Sequence, residues 1–219
     1  MSQPITAPQA RKVTRRWPLI SGGTAVALAL LLGVIVGLRS SPYEFDAEWL
    51  EELVEHRSPL WDVPAYVMSF LGGGWFGVFL VPIGVGVLFL VLRKPWSALY
   101  FVLASALSAG IVQLLKSLFA RARPEQILVA ADFGSFPSGH VANAATVSVA
   151  LAILLQRRWV WFAAAAWTLL MILSRTYLGA HWLSDTIGGL LLGSAVAILL
   201  WAPLASRLQK EWSRGARDR

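Results

Sequence analysis

Residues 174–185 place four kinds of polar side chain between two apolar runs. His181 and Asp185 are four residues apart, so one helical turn would bring the carboxylate within reach of an imidazole nitrogen. The other nitrogen would then be available as a nucleophile or base, and Arg175 could bind the oxygens of a phosphate. The same pair could ligate a metal ion, but a metal site needs further ligands, and the chain has no cysteine.

A second polar segment, residues 136–140, is typical of the start of a helix. Ser138 is a suitable N-cap, and Gly139 lets a ligand approach the backbone closely. The free N–H groups of a first helical turn favour an anion, and His140 would lie beside it. The alternative is an ordinary capped helix whose histidine only lies at the membrane interface.

A third segment carries two cations that suit an anion with several oxygens. Lys116 and Arg123 are seven residues apart, which puts them on one face if a helix continues to Arg123, and Pro124 marks where that helix stops. The alternative is that both side chains extend to lipid headgroups.

The composition indicates a polytopic membrane protein. Of the 219 residues, 57% are hydrophobic and 14% are charged, whereas a soluble domain usually has about 25% charged residues. The absence of cysteine excludes thiol nucleophiles, thiolate metal sites and disulfides. The excess of basic residues would suggest nucleic-acid binding in a soluble protein, but in a membrane protein it is typical of cytoplasmic loops and tails.

Six apolar runs predict an all-α fold with six transmembrane helices, since about 20 apolar residues cross the hydrocarbon core. The runs are residues 19–38, 75–92, 96–115, 141–155 (extended to Gly139), 159–173 and 186–204. Gly72-Gly73-Gly74 is expected to separate the second span from a short preceding helix, and Pro82 is expected to kink it.

The remaining segments flank this six-helix domain, which we place at residues 19–205. Residues 1–18 are predicted to be a disordered basic tail, and residues 206–219 a second basic tail. Residues 44–55 alternate acidic and apolar positions and predict a short amphipathic helix at the interface. That helix would either anchor at the interface or border the entry of a lipid.

The charge distribution predicts the orientation. With six spans, thirteen of the 19 Lys and Arg residues and only two of the 12 acidic residues lie on the side of the termini, so both termini should be cytoplasmic. The ends of the third and fifth spans and the starts of the fourth and sixth then meet at the outer face of the membrane. The unusual polar residues are concentrated at these four ends.

Taken together, the three segments resemble the type-2 phosphatidic acid phosphatase superfamily, in particular its small six-span bacterial lipid phosphatases. Lys116 to Pro124 fits K-x6-R-P, residues 137–140 fit P-S-G-H, and residues 174–185 fit S-R-x5-H-x3-D. The resemblance covers residues 60–205, and every fixed motif position is filled.

The resemblance implies a role for each motif residue. His181 would attack phosphorus and form a phosphohistidine, Asp185 would orient it, and His140 would act first as acid and then as base. The residues that hold the phosphoryl oxygens would be Lys116, Arg123, Ser138, Gly139 and Arg175. No metal or other cofactor is expected, because positioning and charge stabilisation can be supplied by cations and a helix N-terminus.

These features predict a membrane phosphatase that hydrolyses a lipid phosphate or diphosphate at the outer face of the cytoplasmic membrane. The candidate substrates are polyprenyl diphosphate, phosphatidylglycerophosphate and phosphatidate. A non-catalytic lipid-phosphate binder or transporter is the alternative, although binding alone needs neither His181 nor His140. The superfamily that the chain resembles also contains vanadate-dependent haloperoxidases, which use a similar anion site but are soluble, so the apolar runs argue against that function.

Overall fold

The computed structural model of the protein describes residues 7–39 and 41–215, and in those ranges it contains helices but no strand. Its α-helices are α1 (Ala7–Gly37), α2 (Glu44–Glu55), α3 (Pro59–Gly72), α4 (Val81–Val91), α5 (Pro95–Phe119), α6 (Gly139–Leu155), α7 (Arg158–Tyr177) and α8 (Leu183–Gly215). A short π-helical segment, Phe76–Leu80, leads directly into α4. The all-α prediction is therefore confirmed for the part of the chain described.

Within the described residues, four helices are long and apolar enough to cross a membrane: α1 from Arg16, α5, α7 and α8. A fifth span results if α3 and the segment Phe76–Val91, which meet at an angle of 43°, count as one broken crossing. The break lies at the predicted glycines, where the chain turns between Gly72 and Phe76. Helix α6 is apolar but has only 17 residues, so the sixth span remains a prediction.

Two helices extend beyond the predicted spans. Helix α1 begins at Ala7, so residues 7–18 are helical where a disordered tail was expected, and residues 1–6 lie outside the described residues. This segment is rich in Ala, Arg and Lys, which favour helix even outside the bilayer. Helix α8 likewise continues through the second basic tail as far as Gly215.

The centre of the molecule is a bundle of α5, α6 and α8. Tyr100 and Phe101 of α5 are fully buried and pack against Leu154 of α6 and Ala197 of α8. Polar contacts connect the same helices. The hydroxyl of Thr146 in α6 lies within hydrogen-bond distance of both the Ser108 hydroxyl of α5 and the Gly193 carbonyl of α8. Such hydrogen bonds are typical of helix contacts in membranes, where water cannot replace them.

Helices α6 and α8 approach closely because α8 presents glycines to α6. A Cβ atom added at Gly189 would lie 2.5 Å from the carbonyl oxygen of Ser138, and one at Gly193 would overlap the backbone of Ala142. Small residues spaced four apart allow this close backbone contact between membrane helices. The contact fixes the start of α6 against the start of α8.

The outer faces of the bundle are apolar. Leu31 of α1, Val91 of α4 and Phe162 of α7 are among many large apolar side chains that are exposed. An apolar surface of this extent fits a bilayer rather than water. Together with the apolar helices, it identifies the protein as a multi-pass membrane protein.

We expect the variant Gly189→Ala to unfold at a lower temperature in detergent than the unchanged protein. The added methyl group would overlap the Ser138 carbonyl, and overpacking of this kind costs about 1–3 kcal/mol. The matched control is Gly84→Ala in α4, where nothing lies within 4 Å of the added atom. Equal melting temperatures for the two variants would contradict the close approach of α6 and α8.

Candidate active site

A cavity of about 570 Å³ lies where the C-terminal ends of α5 and α7 meet the start of α6. Six of the eight predicted site residues line it: Lys116, Arg123, Gly139, His140, Arg175 and His181. Ser138 and Asp185 are fully buried and do not line it. The other wall is largely apolar and is formed by the π-helical segment and α5, including Val78, Phe79, Ala109 and Val112.

The turn that presents His181 is set by the end of α7. Gly179 has φ +63°, and the N–H groups of Gly179 and Ala180 donate to the carbonyls of Thr176 and Arg175. This is a Schellman motif, in which the left-handed residue is normally glycine. It ends α7 at Tyr177, two residues after Arg175, and brings His181 to the cavity two residues after Gly179.

The hydrogen bonds of His181 define which ring nitrogen is free. Nδ1 lies 2.8 Å from the backbone carbonyl oxygen of Ser135, and because a carbonyl can only accept, Nδ1 carries the hydrogen. Nε2 therefore bears the lone pair, and it faces Nη1 of Arg123 at 3.3 Å. Burial, followed by the charges of Arg175, Arg123 and Lys116, lowers the pKa of His181 well below its usual 6.5. The imidazole is thus neutral near pH 7.

Asp185 lies close to His181 but is not its direct hydrogen-bond partner. Its Oδ2 is 3.6 Å from Nδ1 of His181, and it accepts hydrogen bonds from the Ser135 hydroxyl and from the Trp182 backbone N–H. Asp185 is at the third position of α8, where a carboxylate normally reaches back to the N-cap N–H. Ser135 connects the two residues, because its hydroxyl donates to Asp185 and its carbonyl oxygen accepts from Nδ1 of His181.

Arg121, which the sequence reading did not select, is the main partner of Asp185. Its Nη1 lies 2.5 Å from Oδ1 of Asp185 and 2.7 Å from the Ser184 hydroxyl. Its Nη2 lies 2.8 Å from Oδ2 of Asp46 in α2. Asp46 also accepts from the backbone N–H and hydroxyl of Ser184. The amphipathic helix α2, confirmed at the predicted bounds, is therefore bound to the start of α8.

A signal for Asp46 was present in the sequence. Asp46 precedes Trp49, Leu50 and Leu53 by three, four and seven residues, so it shares the apolar face of α2. Asp46 is fully buried and Leu50 is 5% exposed. A carboxylate on a buried face needs a partner, but only the folded chain identifies Arg121 as that partner.

Ser138 is the N-terminal flanking residue of α6, as predicted, but its hydroxyl makes no capping bond. Its Oγ is buried and has no hydrogen-bond partner in the part of the chain described. The Nε of Arg175 is also buried without a hydrogen-bond partner, whereas Nη1 of the same side chain donates to the Ser69 hydroxyl at 2.6 Å. Unpaired buried polar groups are costly, and Nε of Arg175, whose side chain lines the cavity, is suited to a ligand there.

The two cations of the third segment reach the cavity from different elements: Lys116 from helix α5 and Arg123 from the loop that follows it. Helix α5 ends at Phe119, with Ala120 in the left-handed conformation, so Arg123 does not continue the helical face of Lys116 as the spacing suggested. Arg123 lies in the following loop and is still brought beside Lys116. The carboxylate of Asp132, another residue that the sequence reading did not select, bridges both cations.

No group of three or more His, Asp or Glu side chains that could hold a metal ion occurs in the described ranges. The cavity instead combines three basic side chains, two imidazoles and the start of a helix. Such an arrangement suits an anion with several oxygens.

A sequence profile described as the PAP2 superfamily matches residues 97–207, which contain all three motifs. The chain belongs to the PAP2 superfamily. The family predicted from the motifs is therefore confirmed.

Named relatives agree with this assignment. The chain is 34% identical over 131 residues to "Phosphatidylglycerophosphatase B" of Bacillus subtilis. The aligned region covers 55% of this chain and 64% of that relative. It is 29% identical to "Lipid A 4'-phosphatase" of Bacteroides thetaiotaomicron, over 71% of this chain and 76% of the relative.

The fold is similar to a solved structure, the transmembrane PAP2-type phosphatidylglycerolphosphate phosphatase from Bacillus subtilis. The TM-score is 0.73 at 25% identity, and the similarity covers 83% of this chain and 96% of that one. The helical arrangement of this PAP2 protein is therefore that of a known membrane member.

We expect Arg121→Ala to lower the melting temperature in detergent more than Asp46→Ala does. Removing Arg121 leaves two buried carboxylates without their cation, which lowers the free energy of unfolding by about 3–5 kcal/mol. Removing Asp46 leaves Arg121 paired with Asp185. Glu48→Ala, on an exposed position of the same helix, is the control and should have little effect. A larger effect of Asp46→Ala would show that Arg121 is not the centre of this network.

Proposed function

We propose that the protein is an integral membrane phosphatase that hydrolyses a lipid phosphate or diphosphate through a phosphohistidine at His181. The observation that carries the proposal is the lone pair on Nε2 of His181, which faces a cavity lined by Lys116, Arg123 and Arg175. A neutral imidazole is a nucleophile, and the cations would stabilise the charge of the transferring phosphoryl group.

The reaction would have two steps. In the first, Nε2 of His181 bonds to phosphorus, the bond from phosphorus to the lipid oxygen breaks, and protonated His140 gives its proton to that oxygen. In the second, water attacks phosphorus while His140 takes a proton from it, the bond from Nε2 to phosphorus breaks, and orthophosphate is released. The Ser138 hydroxyl, the Gly139 N–H and Arg175 would bind the equatorial oxygens.

An attached lipid chain is supported by the apolar wall of the cavity. Val78 and Phe79 of the π-helical segment and Ala109 and Val112 of α5 line it, and Phe79 is 62% exposed. A soluble phosphate would gain nothing from this wall, whereas an acyl or prenyl chain would bury apolar area there.

The substrate is proposed as a class with several members. Phosphatidylglycerophosphate is favoured by the name of the Bacillus relative. Polyprenyl diphosphate and phosphatidate are further candidate substrates, which the motif resemblance implies. The name of the Bacteroides relative supports a phosphorylated lipid A as another candidate.

We further propose six spans with both termini cytoplasmic and the cavity at the outer face. The charge distribution supports this orientation, and it would give the enzyme lipids of the outer leaflet. The short helix α6 would be the fourth span, with its start recessed below the membrane surface.

The activity is tested by measuring phosphate release from these lipids by the detergent-purified protein. His181→Ala should lose more than about 10³-fold in rate, because it removes the nucleophile. His140→Ala should lose about 10²–10⁴-fold, the usual range for acid–base help. The matched control is His56→Ala, an exposed histidine after α2, which should retain the unchanged rate.

Equal release by His181→Ala and the unchanged protein would refute the phosphohistidine. Binding of the lipids without release by the unchanged protein would support the binder or transporter instead.

The orientation is tested by single cysteines, which are clean probes because the chain has none. Phe133→Cys, in the exposed loop beside the cavity, should react with a membrane-impermeant thiol reagent added to intact cells. Gln156→Cys, between α6 and α7, should react only after the membrane is opened. The reverse pattern would overturn the orientation.

A further inference from the structure

The carboxylate of Asp132 occupies the place between two of the cations expected to bind phosphate. Its Oδ1 lies 2.7 Å from Nζ of Lys116 and 2.7 Å from Nη2 of Arg123. We call Nζ of Lys116 and the guanidinium of Arg123 the phosphate seat. A phosphoryl oxygen that used both cations would take up the position that this carboxylate oxygen holds.

Arg123 has no N–H left for a phosphate in this arrangement. A guanidinium has five N–H groups. Those of Arg123 face five acceptors: the carbonyl oxygens of Asp132, Ala180 and Gly134, Nε2 of His181 and Oδ1 of Asp132. A phosphate can therefore bind to Arg123 only if one of these acceptors leaves.

Asp132 is the acceptor best able to leave. Three of the others are backbone carbonyls fixed by the fold, and the fourth is Nε2 of His181, whose side chain is buried and cannot move into water. The Asp132 side chain is 54% exposed, whereas that of Lys116 is 4% exposed, so the carboxylate can move into water without loss of packing. Burial alone would raise the pKa of Asp132, but Lys116 and Arg123 lower it below the usual 3.8, so the group is an anion at neutral pH.

We propose that Asp132 is an internal ligand of the phosphate seat, which every incoming phosphate has to displace, and that it thereby lowers the affinity of the seat, so that a phosphate binds well only if it makes a further contact. Displacement costs the same for orthophosphate as for a lipid phosphate. Only the lipid phosphate offsets this cost, through its chain on the apolar wall. The residue thus weakens binding of the product orthophosphate and of soluble phosphates, and favours release of product.

This proposal rests on the proposed function, because it takes the seat to be the place where phosphate binds. The exchange itself is electrostatic. A carboxylate carries one negative charge, whereas a phosphate dianion carries two and offers more acceptor oxygens, so it can replace the carboxylate at two cations. Asp132→Asn would remove the competing charge and keep the shape of the side chain.

The test is the dissociation constant of inorganic phosphate, measured by calorimetry on the full-length protein in detergent. We expect Asp132→Asn to bind orthophosphate about three- to tenfold more tightly than the unchanged protein, the effect of a partly exposed ion pair. Inhibition of lipid hydrolysis by orthophosphate should strengthen by the same factor. Asp132→Ser provides a second variant that also lacks the charge, and Glu125→Gln, an exposed carboxylate in the same loop, is the matched control and should bind as the unchanged protein does.

Unchanged or weaker phosphate binding in both Asp132 variants would overturn the proposal and would mean that the carboxylate only holds the cations in place. Phosphate binding needs no turnover, so the two proposals can fail separately. Tighter binding without any lipid hydrolysis would refute the proposed function alone. Lipid hydrolysis without tighter binding would refute the role of Asp132 alone.

Discussion

The buried ion pairs of Arg121 are the interaction on which the rest of the site depends. One guanidinium joins Asp185 at the start of α8 to Asp46 of α2, and Asp185 is joined through Ser135 to His181. Charges buried in this way are stable only when every partner is present and hydrogen-bonded. The position of His181 is thus linked through Ser135, Asp185 and Arg121 to Asp46, so α2 contributes to the structure of the site.

The site also illustrates how a membrane protein can hold several cations close together. Lys116, Arg123 and Arg175 line one cavity near the ends of apolar helices, where their mutual repulsion and the loss of hydration both oppose folding. Asp132 offsets part of this cost at Lys116 and Arg123. Arg175 has no such carboxylate among its hydrogen-bond partners in the described chain, and its Nε is unpaired. The unpaired Nε of Arg175 therefore belongs to a side chain that lines the cavity, where an anionic ligand would satisfy it.

Local sequence signals predicted the elements well where one physical rule dominates. The length of apolar runs predicted the main helices, and Ser138 marks the start of α6 as predicted. The amphipathic pattern gave α2 its observed bounds. Other features differ from the expectation: helix α1 begins at Ala7, although residues 7–18 lie outside the apolar run. The prediction that Lys116 and Arg123 share one helical face is wrong, because α5 ends at Phe119.

The sequence by itself determined the membrane class, the family and six of the residues that line the cavity, because composition and motif spacing are properties of the chain. Only the tertiary structure decided which groups contact which. In the folded chain, His181 contacts the Ser135 carbonyl and Asp185 pairs with Arg121. Arg121 also pairs with Asp46, which is 75 positions away in the sequence. The physical reason is that a buried polar group must find a partner, but the choice of partner depends on how the helices pack.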